Sequence, residues 1–432
     1  MSNKKFVLIM YMLFIAFLLG LARTLIFNVS VYGINKEPPA YEILFWGDER
    51  LIRAIDERFR NESVNVNLNI SENENRSVQW DYFFQQGCFL NSFISGVAGY
   101  NESRLNLPRV SSSGTKSDNN NEASNVYDMG DGYLVNIIEE RDNTELVHRI
   151  SDFNISLKSR GIEYIFFLAP GKISRNDENE LPFFLNNHSN KNADNLLELL
   201  EENGVYTYDL RDEFEKEENY KNFFYKNDHH WNNKAALLAS SISAREICRI
   251  ADLDYDASLY DINNYNYYEY KDRFYGSLIV DSSVWTEKDQ KSDYVLYLPK
   301  FKTNISSSSV WDDYTDSESL EEAFCNWNQI NDLGKDDETI YKSFAIGETG
   351  AIRNNLSNNN YKVLVLADSY AYSYVPYLCL QFDQIRRINL RSYQGSIYDY
   401  IDREKPDMVI QINDQDNNRY DTYNPEALWE FE

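Results

Sequence analysis

The sequence predicts an α/β protein: a parallel sheet flanked by helices, interrupted by a β-rich insertion and preceded by an N-terminal transmembrane helix. Three observations predict it. Apolar runs of strand length alternate with segments of helical spacing over 144–250 and again over 361–412; that rhythm lapses between the two blocks; and a long uncharged stretch follows two lysines at the N-terminus.

Lys4 and Lys5 come first, and Phe6 to Ala22 then runs without a charge, with Thr24 to Phe27 extending the apolar segment past Arg23. That length spans most of a bilayer, and positive charge ahead of a first hydrophobic segment is retained in the cytoplasm, so the rest of the chain is expected outside it. The stretch exceeds a usual signal core, which favours an uncleaved anchor over 1–27; the triplet Gly20-Leu21-Ala22 leaves cleavage after Ala22 as the alternative. Residues 28–75 read as a stem, with Pro38-Pro39 as a stiff element and helical signals from Glu49 to Phe59. Val110 to Ser124 is rich in Ser, Asn, Gly and Lys and has too little apolar surface to repay the entropy of ordering; it reads as a mobile loop.

Leu146 to Ser159 has the apolar spacing of a helix and Glu163 to Leu168 is a short buried strand; Asn195 to Glu202 and Val205 to Leu210 repeat the pair. A longer helix, Asn233 to Ile250, presents Ala, Leu and Ile on its inner face. From Ala251 to Asn360 Tyr-rich and Ser/Asp-rich stretches surround strand-like pieces such as Tyr294 to Leu298, which is the β-rich insertion. Three apolar strands, Lys362 to Ala367, Ile385 to Leu390 and Met408 to Ile412, then alternate with helices Tyr370 to Phe382 and Ser396 to Glu404. The expected organisation is anchor 1–27, stem 28–75, catalytic domain 76–250 plus 361–432, and insertion 251–360.

The net charge of −27, with no basic cluster to offset it, excludes a nucleic-acid partner, because the field repels phosphate. Four cysteines, Cys88, Cys248, Cys325 and Cys379, lie far apart with no Cys-x-x-Cys pair, which argues against zinc chelation and leaves disulfides and buried thiols equally open.

Two strings carry the chemistry in a chain with only four histidines: Asp228-His229-His230-Trp231 and Leu366-Ala367-Asp368-Ser369-Tyr370-Ala371. Ser369 directly follows a buried strand and precedes a helix, so its hydroxyl sits on a tight turn beside a helix N-terminus, whose amides and dipole stabilise an oxyanion. An N-cap role would suit the same residues. Asp228 and His230 are two apart, so in an extended segment both side chains point the same way and the carboxylate braces the imidazole. His229 points elsewhere and, with Trp231, reads as structural. Nucleophile, base and orienting acid are the set that acyl transfer through a serine requires.

These strings, together with Glu74-Asn75-Arg76, Gly130-Asp131-Gly132-Tyr133-Leu134, Ala169-Pro170-Gly171-Lys172, Phe274-Tyr275-Gly276-Ser277, Pro376 and Leu390-Arg391-Ser392-Tyr393, resemble the DHHW family. That family is related to the alginate O-acetyltransferases and to SGNH-type (Ser-Gly-Asn-His) esterases with a rearranged motif order. The resemblance implies an SGNH hydrolase-like fold in which Ser369 is the nucleophile, His230 the general base and acid, and Asp228 its orienting partner. It offers Gly395 and Asn413 as oxyanion donors with the Ser369 amide. One departure is Ala367, which stands where the SGNH motif has glycine. Arg391, Tyr393 and, equally, Lys172 are candidates for contacting a sugar or its carboxylate, with a solvated surface cation or a half-buried tyrosine as the plainer reading, and the tyrosines from Tyr260 to Tyr275 are candidates for stacking on a sugar or for packing in strands.

The expected activity is a serine-dependent O-acyl, most simply acetyl, transferase or esterase acting outside the cytoplasm on a cell-surface or secreted polysaccharide. It needs neither metal nor cofactor, and the resemblance implies a multipass membrane acyltransferase as acetyl donor. Two competitors are a non-catalytic glycan-binding scaffold and a metal-dependent phosphoesterase. The latter shares an Asp-His-His string but needs further ligands, which His148 and His188 lack the acidic neighbours to complete.

Overall fold

In a computed structural model the described residues are 126–129, 132–178, 181, 187–278, 291–308, 313–331 and 340–416. The anchor, the stem, Cys88, the Glu74-Asn75-Arg76 string and the loop expected at 110–124 lie outside them. Among the described residues no helix is long and apolar enough to cross a membrane.

A small hairpin, β1 (Val126–Asp128) with β2 (Leu134–Asn136), leads into α1 (Thr144–Ser159). Helix α1 turns Leu146, Val147, Ile150, Phe153 and Leu157 inward at helical spacing and stops where Gly161 takes φ +70°, so that the amides of Gly161 and Ile162 close on the carbonyls of Lys158 and Leu157. Strand β3 (Glu163–Ala169) follows, then α2 (Ser189–Glu202), β4 (Tyr206–Asp209) and the single turn α3 (Arg211–Phe214). The long helix α4 (Asn233–Ala251) starts on the Asn232 side chain, which accepts from the amides of Lys234 and Ala235.

The next stretch holds β5 (Tyr265–Phe274), β6 (Ser292–Pro299), β7 (Ile305–Ser308), β8 (Thr315–Ser317), two short helices, α5 (Leu320–Phe324) and α6 (Trp327–Asn331), and β9 (Thr349–Asn354). The last block is β10 (Lys362–Ala367), α7 (Ala371–Leu378), β11 (Gln384–Asn389), α8 (Ile397–Glu404) and β12 (Met408–Asp414). Helix α7 ends four residues earlier than its apolar pattern suggests, because Asn354 of β9 donates to the Cys379 and Leu380 carbonyls and so satisfies the helix end.

The main sheet has eight strands in the order β4-β3-β12-β10-β11-β9-β7-β8. It is mixed, not the parallel sheet expected. The first five strands are parallel, but β9 runs antiparallel to β11 and β7 and β8 continue that sense. Part of the 251–360 stretch therefore extends the main sheet, while β5 and β6 form a separate antiparallel pair. The signal for β9 was weak because Thr349–Asn354 carries a glycine, an arginine and an asparagine among its six residues.

Two apolar cores cover the sheet. On one face α4 and α7 share a core with Val363, Val365, Ile410 and Ile412, and β6 packs against α4; on the other α1, α2 and α8 share a core with Leu364, Leu366 and Val409. The helices after β10 and β11 thus leave to opposite faces, which opens a crevice at the carboxyl ends of these strands. Cys248, Cys325 and Cys379 are free thiols, and burial raises the pKa of each.

Candidate active site

Ser369 stands at that crevice, one residue beyond Asp368 at the end of β10, and is only half-buried. Its turn is fixed by neighbours, not by its own hydroxyl. The Asp368 carboxylate accepts from the Tyr370 amide (2.9 Å) and the Asp414 amide (3.0 Å), so Asp368 caps the turn and ties β10 to the end of β12. Arg387, fully buried on β11, donates to the Asp368 carbonyl (2.9 Å) and to those of Ile346 and Gly347.

The Asp228 string arrives from the loop before α4. Tyr225 and His230 pair across a tight turn, and two reciprocal bonds clip the string to the serine turn: the Trp231 indole donates to the Tyr370 carbonyl (2.9 Å) and the Tyr370 hydroxyl to the His229 carbonyl (2.6 Å). The outcome is a linear relay. Ser369 Oγ lies 2.7 Å from His230 Nε2, and His230 Nδ1 lies 2.6 Å from Asp228 Oδ1. Asp228 and His230 are both buried, and Ser369 is half-buried.

Asp228 is held at both oxygens. Oδ1 also accepts from the His230 amide (2.8 Å), and Oδ2 accepts from the amide and hydroxyl of Ser277, each at 2.9 Å. Gly276 makes this approach feasible, since a Cβ there would stand 2.4 Å from the Asn227 carbonyl oxygen. Burial pushes the Asp228 carboxyl upward. The opposing attraction of His230 and His229 and the bonds from His230 and Ser277 prevail, leaving it well below the ordinary carboxylate range.

A depressed native pKa stabilises the fold above the unfolded value near 3.9, and that contribution fades as the pH falls through it. Unfolding free energy should therefore drop on acidification from about pH 5 to 2, and less steeply in Asp228→Asn. Chemical denaturation across that range measures it; identical slopes would disprove the assignment.

Lys172 is neither solvated nor placed to meet a sugar. It is buried, donates to the carbonyls of Tyr225 (2.7 Å), Lys226 (2.8 Å) and Asp228 (2.9 Å), and lies over the Tyr133 ring. Burial lowers its pKa to about 7, against the pull of Asp228.

Asn413, buried near the end of β12, lies one residue past Ile412, the partner of Ala367 in the sheet, and so beside the Ser369 turn; its Oδ1 accepts from Gln411. Gly395 is in the loop between β11 and α8, close to the Tyr393 ring. Arg391 is exposed and near enough to depress the pKa of His229, which burial first and then His230 bring down to about 3. Tyr393 is half-buried and packs edge-on against Tyr400 in the α1-side core. Of the tyrosines from 260 to 275, Tyr260 and Tyr265 are buried, while Tyr267 and Tyr268 are open.

Arg387 and Tyr341 escaped sequence reasoning. An arginine pair breaking the apolar pattern of β11 was the signal for the first; nothing local marked Tyr341, whose ring lies 4.0 Å from that of His230.

Among the described residues Asp228, His229 and His230 bring potential ligand atoms within 4.8 Å of one another. Both Asp228 oxygens, both His230 nitrogens and Nδ1 of His229, 3.1 Å from Ser277 Oγ, already have protein partners. The donor set suits proton transfer better than a cation.

Residues 130–264, which include Asp228 and His230, match the family model described as the SGNH hydrolase-like domain of acetyltransferase AlgX. No match was found among curated proteins. Among solved structures, Bacillus cereus PatB1 aligns with a TM-score of 0.55 at 22% identity, over 68% of this chain and 97% of its own. Its form with a sulfonyl adduct gives 0.54 at 21%, over 69% and 98%. A DHHW family protein from Eubacterium siraeum DSM 15702 gives 0.52 at 15%, over 67% of this chain and 90% of that one. At such identities the likeness is one of fold, and it agrees with the resemblance read from the motifs.

Proposed function

We propose that this chain, with an SGNH hydrolase-like domain of the AlgX type, is a serine-dependent O-acetyltransferase acting on a cell-surface or secreted polysaccharide outside the cytoplasm. The observation that carries the reading is the unbroken relay from the half-buried Ser369 through His230 to a buried, doubly held Asp228. His230 Nε2 takes the Ser369 proton as Oγ attacks the donor's acyl carbonyl. The tetrahedral oxyanion collapses, and the leaving group departs with that proton. An acceptor hydroxyl then gives its proton to His230 and attacks the acyl-enzyme, which restores Ser369 and leaves the new ester.

The N-terminal end of α7, the Ser369 amide, Asn413 and Gly395 are the oxyanion donors, each such contact contributing about 3 to 4 kcal/mol. Asp228 keeps the imidazole in the tautomer with the proton on Nδ1. Exposed Arg391 is a contact for acceptor or donor. The apolar stretch after Lys4-Lys5 supports anchoring with the domain outside, where a multipass membrane acyltransferase would deliver the acetyl group.

The test uses the full chain with 4-nitrophenyl acetate and oligosaccharide acceptors. Mass spectrometry should find one acetyl group on the Ser369 peptide, discharged when a suitable acceptor is added. Binding of glycan with no acetyl on Ser369 would establish the non-catalytic scaffold instead.

A further inference from the structure

We propose that Tyr341 is a positioning residue for the general base, stacking on the His230 imidazole to hold it between Asp228 and Ser369. The inference rests on the triad reading given above. The two rings lie 4.0 Å apart at 21°, a parallel stack, whereas His229, the adjacent residue in the chain, touches the same imidazole at a 37° tilt.

The two hydrogen bonds of His230 lie in its ring plane. They resist sliding along the relay but oppose a swing of the ring out of that plane only weakly, and a face-to-face contact resists that swing. Tyr341 is itself firmly placed. It lies in a 3-10 turn, Ile340–Lys342, flanked by fully buried Ile340, Ser343 and Phe344; Ser343 donates to the Tyr294 hydroxyl (2.9 Å), and the Ser343 carbonyl accepts from the Asn326 amide (2.7 Å). Its ring also meets Tyr372 edge-on at 5.8 Å and Phe274 at 6.1 Å.

The stack serves the charged state as well. When His230 takes the serine proton it becomes a cation against the electron-rich face of Tyr341, an arrangement that favours the imidazolium. Burial raises the pKa of the Tyr341 hydroxyl, which favours the neutral phenol beside His230. His229 remains neutral too, which spares the imidazolium a second positive charge beside it.

The experiment measures two rates on the full chain: covalent labelling of Ser369 by phenylmethanesulfonyl fluoride, and turnover of 4-nitrophenyl acetate. Wild type, Tyr341→Phe, Tyr341→Leu and Tyr341→Met are compared, with thermal unfolding as the control for folding. Tyr341→Phe keeps the ring and should stay within about twofold of wild type on both rates. Tyr341→Leu and Tyr341→Met should label and turn over about tenfold more slowly with KM nearly unchanged, since the base and not the substrate is displaced. Wild-type rates in the Leu and Met variants, or equal slowing in the Phe variant, would overturn the inference while leaving the triad reading intact. Failure of wild type itself to label at Ser369 would overturn the triad reading, and this inference with it.

Discussion

Ser369→Ala should lower kcat/KM on an acetyl ester by at least about 10³-fold, because the atom that would carry the acyl group is gone and His230 has no proton to accept. The same variant should fold normally. The Ser369 hydroxyl contributes nothing to its own turn, which is held by the Asp368 carboxylate on the amides of Tyr370 and Asp414 and by Arg387 on the Asp368 carbonyl. Alanine occupies less space at a half-open position. Steady-state kinetics paired with chemical denaturation separate the two outcomes: activity near wild type would place the chemistry elsewhere, and a large stability loss would mean that the hydroxyl is structural.

Lys172→Met should have the opposite balance, with a loss of about 3 kcal/mol of stability and an activity loss that follows from it. Methionine approximates the volume but leaves three buried carbonyls, those of Tyr225, Lys226 and Asp228, without the ammonium that gathers them. The loop that delivers Asp228 then loosens, and the base loses its brace. Urea unfolding reads the first effect. The second appears as a fall in kcat that glycerol or lower temperature, which favour the folded loop, should partly restore. A stability change below about 0.5 kcal/mol would show that solvent can replace the ammonium, and the clamp described above would not exist.

Much of this site was legible from local pattern. The apolar run Lys362–Ala367 can only be a buried strand, so the polar pair after it had to emerge at a strand end, and two-residue spacing put Asp228 and His230 on one side of their segment. The structure divides Asp368-Ser369 between two tasks: the aspartate holds the turn through the Tyr370 and Asp414 amides, and the serine faces His230, while Tyr370 stands at the N-cap of α7 without a side-chain cap bond. The helix expected from Asn233 to Ile250 was equally plain from its apolar face, and it runs from Asn233 to Ala251.

Other features depended on partners that no local pattern specifies. Strand β9 is polar enough to pass for a loop and becomes a strand because β11 offers it an edge. Lys172 reads as a surface cation until three carbonyls close on it. Tyr393 and Tyr341 are alike as residues, yet one packs into the far core and the other lies on the base, a difference set entirely by which elements the sheet brings together.

The sequence by itself determined the alternation of strand and helix and the choice of Ser369, His230 and Asp228 as candidates for acyl transfer, since both follow from periodicity and residue chemistry within a few positions. Tertiary structure alone decided that residues 139 apart meet at 2.7 Å, that the sheet is mixed, and which buried cations and rings support the relay. The physical reason is that burial and hydrogen bonding are properties of pairs: a side chain's partner is fixed by packing across the whole fold, and its neighbours in the chain carry little information about it.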